Sequence, residues 1–168
     1  MRFIGTYNSK MIEMIKEYHA EAIRMMPEIA DINIEVNLNS RMRSNGGTAR
    51  WRHNTGEIAL NYRLHRDNDM TQVKQTYLHE LAHIVQRVRY GWGRNIKSHG
   101  VEWQRIMRGL GINPDRTHKM DVSAYKNKTT RIAYKCGCQV HNITKQRHNK
   151  ILRGASYSCK SCKMKLTR

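Results

Sequence analysis

The 168 residues predict an α+β fold, a single mixed domain followed by a small basic appendage built around cysteines. Three observations predict it. Apolar residues recur at helical spacing in three segments, and two-residue alternation marks short strands between the first and second of them. All four cysteines lie between positions 136 and 162. The implied organisation is a domain over 1–115, a polar linker without strong periodicity over 116–130, and a terminal block over 131–168.

Taken in order, residues 9–26 read as an amphipathic helix with Met11, Met14, Ile15, Tyr18, Ala22 and Met25 on one stripe, and Pro27 stops it. The stretch from Ile32 to Leu38 alternates apolar with polar, as a half-buried strand does. Asn45-Gly46-Gly47 marks a turn, and Thr48 to His53 forms a second strand. Asn54-Thr55-Gly56 marks another turn before a third strand over 57–62. The expectation is an antiparallel meander. A helix over about 70–90 follows, with Thr71 as its N-cap and Tyr90-Gly91-Trp92-Gly93 closing it. Trp103, Ile106, Met107 and Leu110 then share the buried face of a further helix, which Gly111 and Pro114 end.

The 70–90 helix carries His79-Glu80-Leu81-Ala82-His83, the H-E-x-x-H pattern. Four residues apart on a helix, His79 and His83 project from one face and reach one metal ion. Glu80 lies beside them, where it can take a proton from a water on that metal. This is the working core of a zinc peptidase, with zinc lowering the pKa of its water and stabilising the oxyanion. Such a site takes three protein ligands. Gln86 and Arg89 stand where a metzincin needs Gly and His, so that class is excluded. Glu102 lies nineteen residues beyond His83 and His99 sixteen, and spacing alone leaves both open as the third ligand. The strand over 57–62 is the expected edge for an extended substrate.

Cys136 and Cys138 form C-x-C, and Cys159 and Cys162 form C-x-x-C. Two close pairs across a loop suit a structural zinc, with His141 or His148 as substitutes for a cysteine. The segment between them displays Lys145, Arg147, His148, Lys150 and Arg153 as a basic edge suited to phosphate, and Tyr134 and Tyr157 are expected to pack the ribbon. Net charge is +18, distributed unevenly: residues 1–115 hold 17 Lys and Arg against 12 Asp and Glu, and residues 116–168 hold 14 against 1. A tail this basic implies a polyanionic partner, foremost DNA, single- or double-stranded and contacted without regard to sequence. No apolar run approaches the roughly eighteen residues of a membrane span. The N-terminus has no secretory core, so the expected setting is reducing, cytoplasmic and nucleoid-associated, or nuclear in a eukaryote, with the protein a monomer.

His79-Glu80-Leu81-Ala82-His83 followed by His99-Gly100-Val101-Glu102-Trp103 resembles the SprT-like, or Spartan, metalloprotease family. Ile58-Ala59-Leu60-Asn61 is similar to the strand before that family's active helix. Cys136-Gly137-Cys138, Arg147-His148-Asn149, Gly154, Tyr157 and Cys159-Lys160-Ser161-Cys162 resemble the ribbon of its bacterial members. The resemblance implies a zincin-like domain with His99 as third ligand, Glu80 as general base, one catalytic and one structural zinc, and DNA-stimulated cleavage of DNA-bound or DNA-crosslinked proteins. The chain shows no long tail for clamp or ubiquitin motifs, so recruitment by those partners is not expected. Two rival readings remain at this stage: a non-catalytic zinc protein that binds nucleic acid, and a general peptidase whose basic surface binds RNA or acidic protein.

Overall fold

A computed structural model describes the chain except for residues 6, 7, 40, 92 and 126–129. Trp92, expected in the helix-closing turn, therefore lies outside the described residues. The chain divides into two compact units, Met1–Lys126 and Asn127–Arg168.

The first unit opens with strand β1 (Arg2–Gly5), which the sequence pattern does not reveal, and helix α1 (Ser9–Met25). Asn8 caps α1, its side chain accepting from the Met11 amide. Met11, Ile15 and Ala22 are buried as expected, but Met25 is exposed and His19 takes an inward position, its ring 2.8 Å from the Tyr77 hydroxyl. Pro27 starts a 3-10 turn instead of simply stopping the helix. Strands β2 (Ile34–Leu38), β3 (Gly47–Arg52) and β4 (Thr55–Leu60) follow.

The sheet order is β1-β2-β4-β3. It is mixed, which corrects the expected meander: β2 runs parallel to both β1 and β4, and only β3–β4 is an antiparallel hairpin. The reason lies in the 39–46 segment, long enough to carry the chain across β4's place before the hairpin forms. The hairpin turn is His53-Asn54, both at positive φ (46° and 58°), so Gly56 falls inside β4. There a Cβ would meet Ile84 Cγ2 at 2.6 Å, so glycine lets the sheet close on the helix behind it. β4 is thus interior, and the edge strands are β1 and β3, of which β3 borders the cavity described below. The strand expected at 57–62 to offer an edge is paired on both sides and offers none.

Helix α2 (Tyr62–Asp67), capped by Asn61, leads into α3 (Val73–Tyr90). α3 packs against α1, β3, β4 and helix α4 (Val101–Gly109). Its turns from Thr76 to Val85 are buried almost all round, whereas Val88 is 48 % exposed. Gln72 precedes the helix without a side-chain cap, so Thr71 does not cap it. Gly91 ends it at φ 69° as the sequence implied. Trp103, Ile106, Met107 and Leu110 bury together as expected.

The front of the expected linker belongs to this unit. Met120 is buried, His118 Nε2 lies 2.9 Å from the Ser44 carbonyl oxygen, and the Asp121 amide donates to Asn68. Polarity masked this packing because its anchors are hydrogen bonds and one methionine. The remainder, 126–129, lies outside the described residues.

The second unit pairs β5 (Arg131–Lys135) antiparallel with β6 (Val140–Thr144), followed by helix α5 (Lys145–Leu152). Its core is four buried residues, Tyr134, Ile143, Cys159 and Leu166.

Candidate metal centres

In the first unit His79, His83 and His99 converge. Their Nε2 atoms form a triangle with sides of 3.3, 3.2 and 3.2 Å. Two come from one face of α3, and His99 from the loop that enters α4. Donors about 3.3 Å apart are what a tetrahedral ion with bonds of about 2.0–2.1 Å requires. The tautomer decides whether a proton sits between these nitrogens. The Asp115 carbonyl accepts from His79, and the Gln86 side chain accepts from His83. Gln86 Nε2 in turn donates to the Lys97 carbonyl at 3.0 Å. With those protons on the outer nitrogens, both Nε2 lone pairs point inward, as metal-ligating imidazoles are held. Burial and the neighbouring imidazoles lower His83 to about 3, and burial first among causes lowers His79 to about 4, so both rings are neutral near pH 7. Glu102 is not among the converging groups.

Trp103 forms the floor. It is fully buried, its ring centroid lies 4.7, 5.5 and 4.7 Å from those of His79, His83 and His99, and its indole N–H donates to the His79 carbonyl. Sequence periodicity marked Trp103 only as core. Gln86, three residues past His83 on the same helix face, is the one supporting residue whose spacing could have been read.

Glu80 is only 7 % exposed, and burial pushes its carboxyl up to about 7. It is pressed by β3: a Cβ at Gly47 would sit 2.8 Å from Glu80 Cγ and 3.0 Å from Oε1. The Gly46-Gly47 pair, read as a turn, is therefore the place where strand backbone approaches the carboxylate. The triad and Glu80 open into a cavity of about 1100 Å³, lined among others by β3 from Gly47 to Trp51 and by residues of the 112–119 segment.

In the second unit Cys136, Cys138, Cys159 and Cys162 gather, all four sulfurs within 4.8 Å of one another. The Cys136–Cys138 and Cys138–Cys159 sulfurs are 3.5 and 3.7 Å apart, against about 3.8 Å for tetrahedral bonds of about 2.3 Å. Backbone amides of Cys162 and Ser161 favour the Cys159 thiolate and lower it to about 5, and that of Cys138 lowers Cys136 to about 7. His141 stands 3.2 Å from the Cys136 sulfur, outside the four-sulfur group. Lys145, Arg147, Lys150 and Arg153 are exposed on and after α5. His148, expected with them, is half-buried, its Nδ1 3.0 Å from the Tyr134 hydroxyl. Tyr134 is buried and Tyr157 packs beneath Arg147, so both tyrosines serve the ribbon's packing.

No described helix is long and apolar enough to cross a membrane. The SprT-like family profile matches residues 10–129, which contain the three histidines; the four cysteines lie beyond the match. The chain is similar to Protein SprT of Pseudomonas paraeruginosa, 39 % identical over 113 residues, 65 % of this chain and 66 % of that protein. Protein SprT of Serratia proteamaculans is 37 % identical over 112 residues, 66 % and 63 % of the two chains. Protein SprT of Vibrio parahaemolyticus is 36 % identical over 108 residues, 63 % and 62 %. In each case the matched stretch spans just under two thirds of the relative's own length. No solved structure matches. With its three-histidine helix-and-loop site inside a family match over 10–129, the chain belongs to the SprT-like family.

Proposed function

We propose that the protein is a zinc-dependent endopeptidase stimulated by DNA, acting on proteins bound or crosslinked to it. The observation that carries this reading is the convergence of three inward imidazole lone pairs beside a buried carboxylate, in a cleft open along a free strand edge. Zinc held by His79, His83 and His99 would supply Lewis acidity, acidifying a water and polarising the scissile carbonyl. Glu80 takes the proton of the attacking water and returns it to the departing amide nitrogen. Its burial suits that role, because a carboxylate raised toward neutrality is a stronger base than an exposed one. The free edge of β3 receives the substrate as an extended strand, its backbone groups paired by Gly47–Arg52. Trp103 and the acceptors behind His79 and His83 keep the ligand rings from rotating.

The second unit holds the enzyme on DNA. Asn127–Arg168 contains eleven Lys and Arg and no Asp or Glu, and the four thiolates holding a structural zinc fix the surface that displays them. Such contacts fall on phosphate, and sequence is not read.

The test uses purified full chain with zinc and an unstructured protein such as casein. Cleavage is expected, with loss on chelation, recovery on adding zinc, and a rise when DNA is present at low ionic strength. Casein left intact by the zinc-loaded protein rejects the peptidase. Equal rates with and without DNA, or equal stimulation by heparin, reject the DNA coupling alone.

A further inference from the structure

A water-promoted hydrolysis builds negative charge on the carbonyl oxygen, and a second donor besides the ion lowers that barrier. The sequence offers no residue for this at a recognisable spacing. The segment after α4 that lines the same cleft does. There the segment holding Asp115–His118 is anchored on either side, and at its end His118 Nε2 bonds the Ser44 carbonyl at 2.9 Å. Just before it, the Asn113 carbonyl accepts from Gln75 Nε2 at 2.9 Å, and just after it Met120 is buried. Between these anchors stands Arg116, exposed into the same cavity that holds His79, Glu80, His83 and His99.

Of the other cations that line the cavity, Lys74 pairs with Glu21 at 2.7 Å, Arg50 lies on β3, Arg87 belongs to the last turns of α3, and Lys119 follows the His118 anchor. Among the described residues Arg116 has no carboxylate partner, so its five N–H donors are uncommitted.

We propose that Arg116 is a catalytic residue of the endopeptidase, donating to the oxyanion of the tetrahedral intermediate. The inference rests on the peptidase reading above. As water adds to the carbonyl carbon, a C–O bond forms and the π pair moves to oxygen, where the guanidinium donates. Collapse reforms C=O and breaks C–N, the nitrogen leaving with the proton Glu80 took from the water. The charge on that oxygen exists only along the reaction, so Arg116 stabilises the intermediate more than bound substrate. Fixing the backbone on both sides of it means little reorganisation is needed when the charge appears.

The experiment compares wild type, Arg116→Ala and Arg116→Lys as zinc-loaded full chains on one peptide, with a phosphinic peptide of the same sequence as a mimic of the tetrahedral anion. Arg105→Glu, an exposed reversal on α4 outside the cavity, is the control. Arg116→Ala is expected to lower kcat about 100-fold with KM nearly unchanged. Its calorimetric affinity for the phosphinic peptide should fall in parallel, with metal per chain retained and activity partly restored by added guanidinium. Arg116→Lys should fall between the two, and Arg105→Glu should match wild type. A loss carried by KM, a loss that tracks lost zinc, or an unchanged affinity for the phosphinic peptide overturns the assignment. Wild-type turnover with an unimpaired Arg116→Ala removes Arg116 alone, whereas a wild type that cleaves nothing brings down the peptidase reading and this inference together.

Discussion

The two units gather metal-ligating side chains by opposite means. In Met1–Lys126 the three imidazoles are held by a core of 22 buried residues, from Met11 on α1 to Leu110 after α4. In Asn127–Arg168 the four sulfurs stand over a core of four buried residues, one of which, Cys159, is itself a candidate ligand. The first scaffold can build its site before any ion arrives. The second is too small to hold four thiols together without one, since a segment of about forty residues buries little apolar surface. The first group offers three donors beside an open cleft, whereas the second offers four, enough to enclose an ion. On the proposed reading, rigidity supplied by packing goes with chemistry, and rigidity supplied by metal goes with display of charge.

Chelation is the strongest way to break this comparison. Structural zinc in isolated fingers contributes about 10–16 kcal/mol of apparent binding energy, more than a core of four residues replaces. The chain carries its own reporters: all three tryptophans precede residue 126 and all four cysteines follow it. On removing metal, all four thiols should become rapidly reactive while tryptophan fluorescence keeps a cooperative melt. Fluorescence collapsing together with thiol exposure would show that the first unit also depends on its ion.

The next effect is chemical. Glu80→Gln should keep metal in both sites and lower kcat by about 10³-fold, as losing a general base does. It also has a stability signature in the chelated protein. Burial raises the Glu80 carboxyl from 4.5 to about 7, so the folded state prefers the neutral acid. Its contribution is present below pH 4.5 and lost as pH rises through 7. The stability of wild type relative to Glu80→Gln should therefore fall across that window, by on the order of 3 kcal/mol, and be flat above it. The lowered His79 and His83 act in the other sense, favouring the fold as pH rises, but both proteins share them. A flat difference between pH 4.5 and 7, from fluorescence melts, would show that the carboxylate is not buried as described.

Much of the site was legible because it is local. The H-E-x-x-H spacing, the buried face of α4 and each of the two cysteine pairs are written within one element or one turn. What was not legible is long-range. Alternation in Ile34–Leu38 marks a strand equally well in either direction, so parallel pairing with β4 was misread as a meander, and the free edge was assigned to the wrong strand. Gly47 shows the same limit: glycines beside Asn45 signal a turn, and nothing local says that a helix carboxylate lies against one of them. Gly47→Ala tests that contact. A methyl 2.8 Å from Glu80 Cγ must displace the side chain, so kcat should fall about 10- to 100-fold with zinc retained. Unchanged kcat would mean that the placement of β3 does not govern the base.

The smallest effects belong to the displayed charges. Lys145, Arg147, Lys150 and Arg153 are exposed, and in water each phosphate contact is weak and screened. Replacing any one with alanine should weaken DNA binding only a few-fold, equally for unrelated sequences, and lower the slope of log K against log salt by about 0.7–0.9. His148→Ala should behave differently. Its ring bonds Tyr134 inside the ribbon, so the loss should appear as faster thiol reactivity in the metal-loaded protein, with the salt slope intact. A reduced salt slope in His148→Ala, with thiols still protected, would move that histidine back to the phosphate-contacting edge. The division between packing and display within the ribbon would then have to be redrawn.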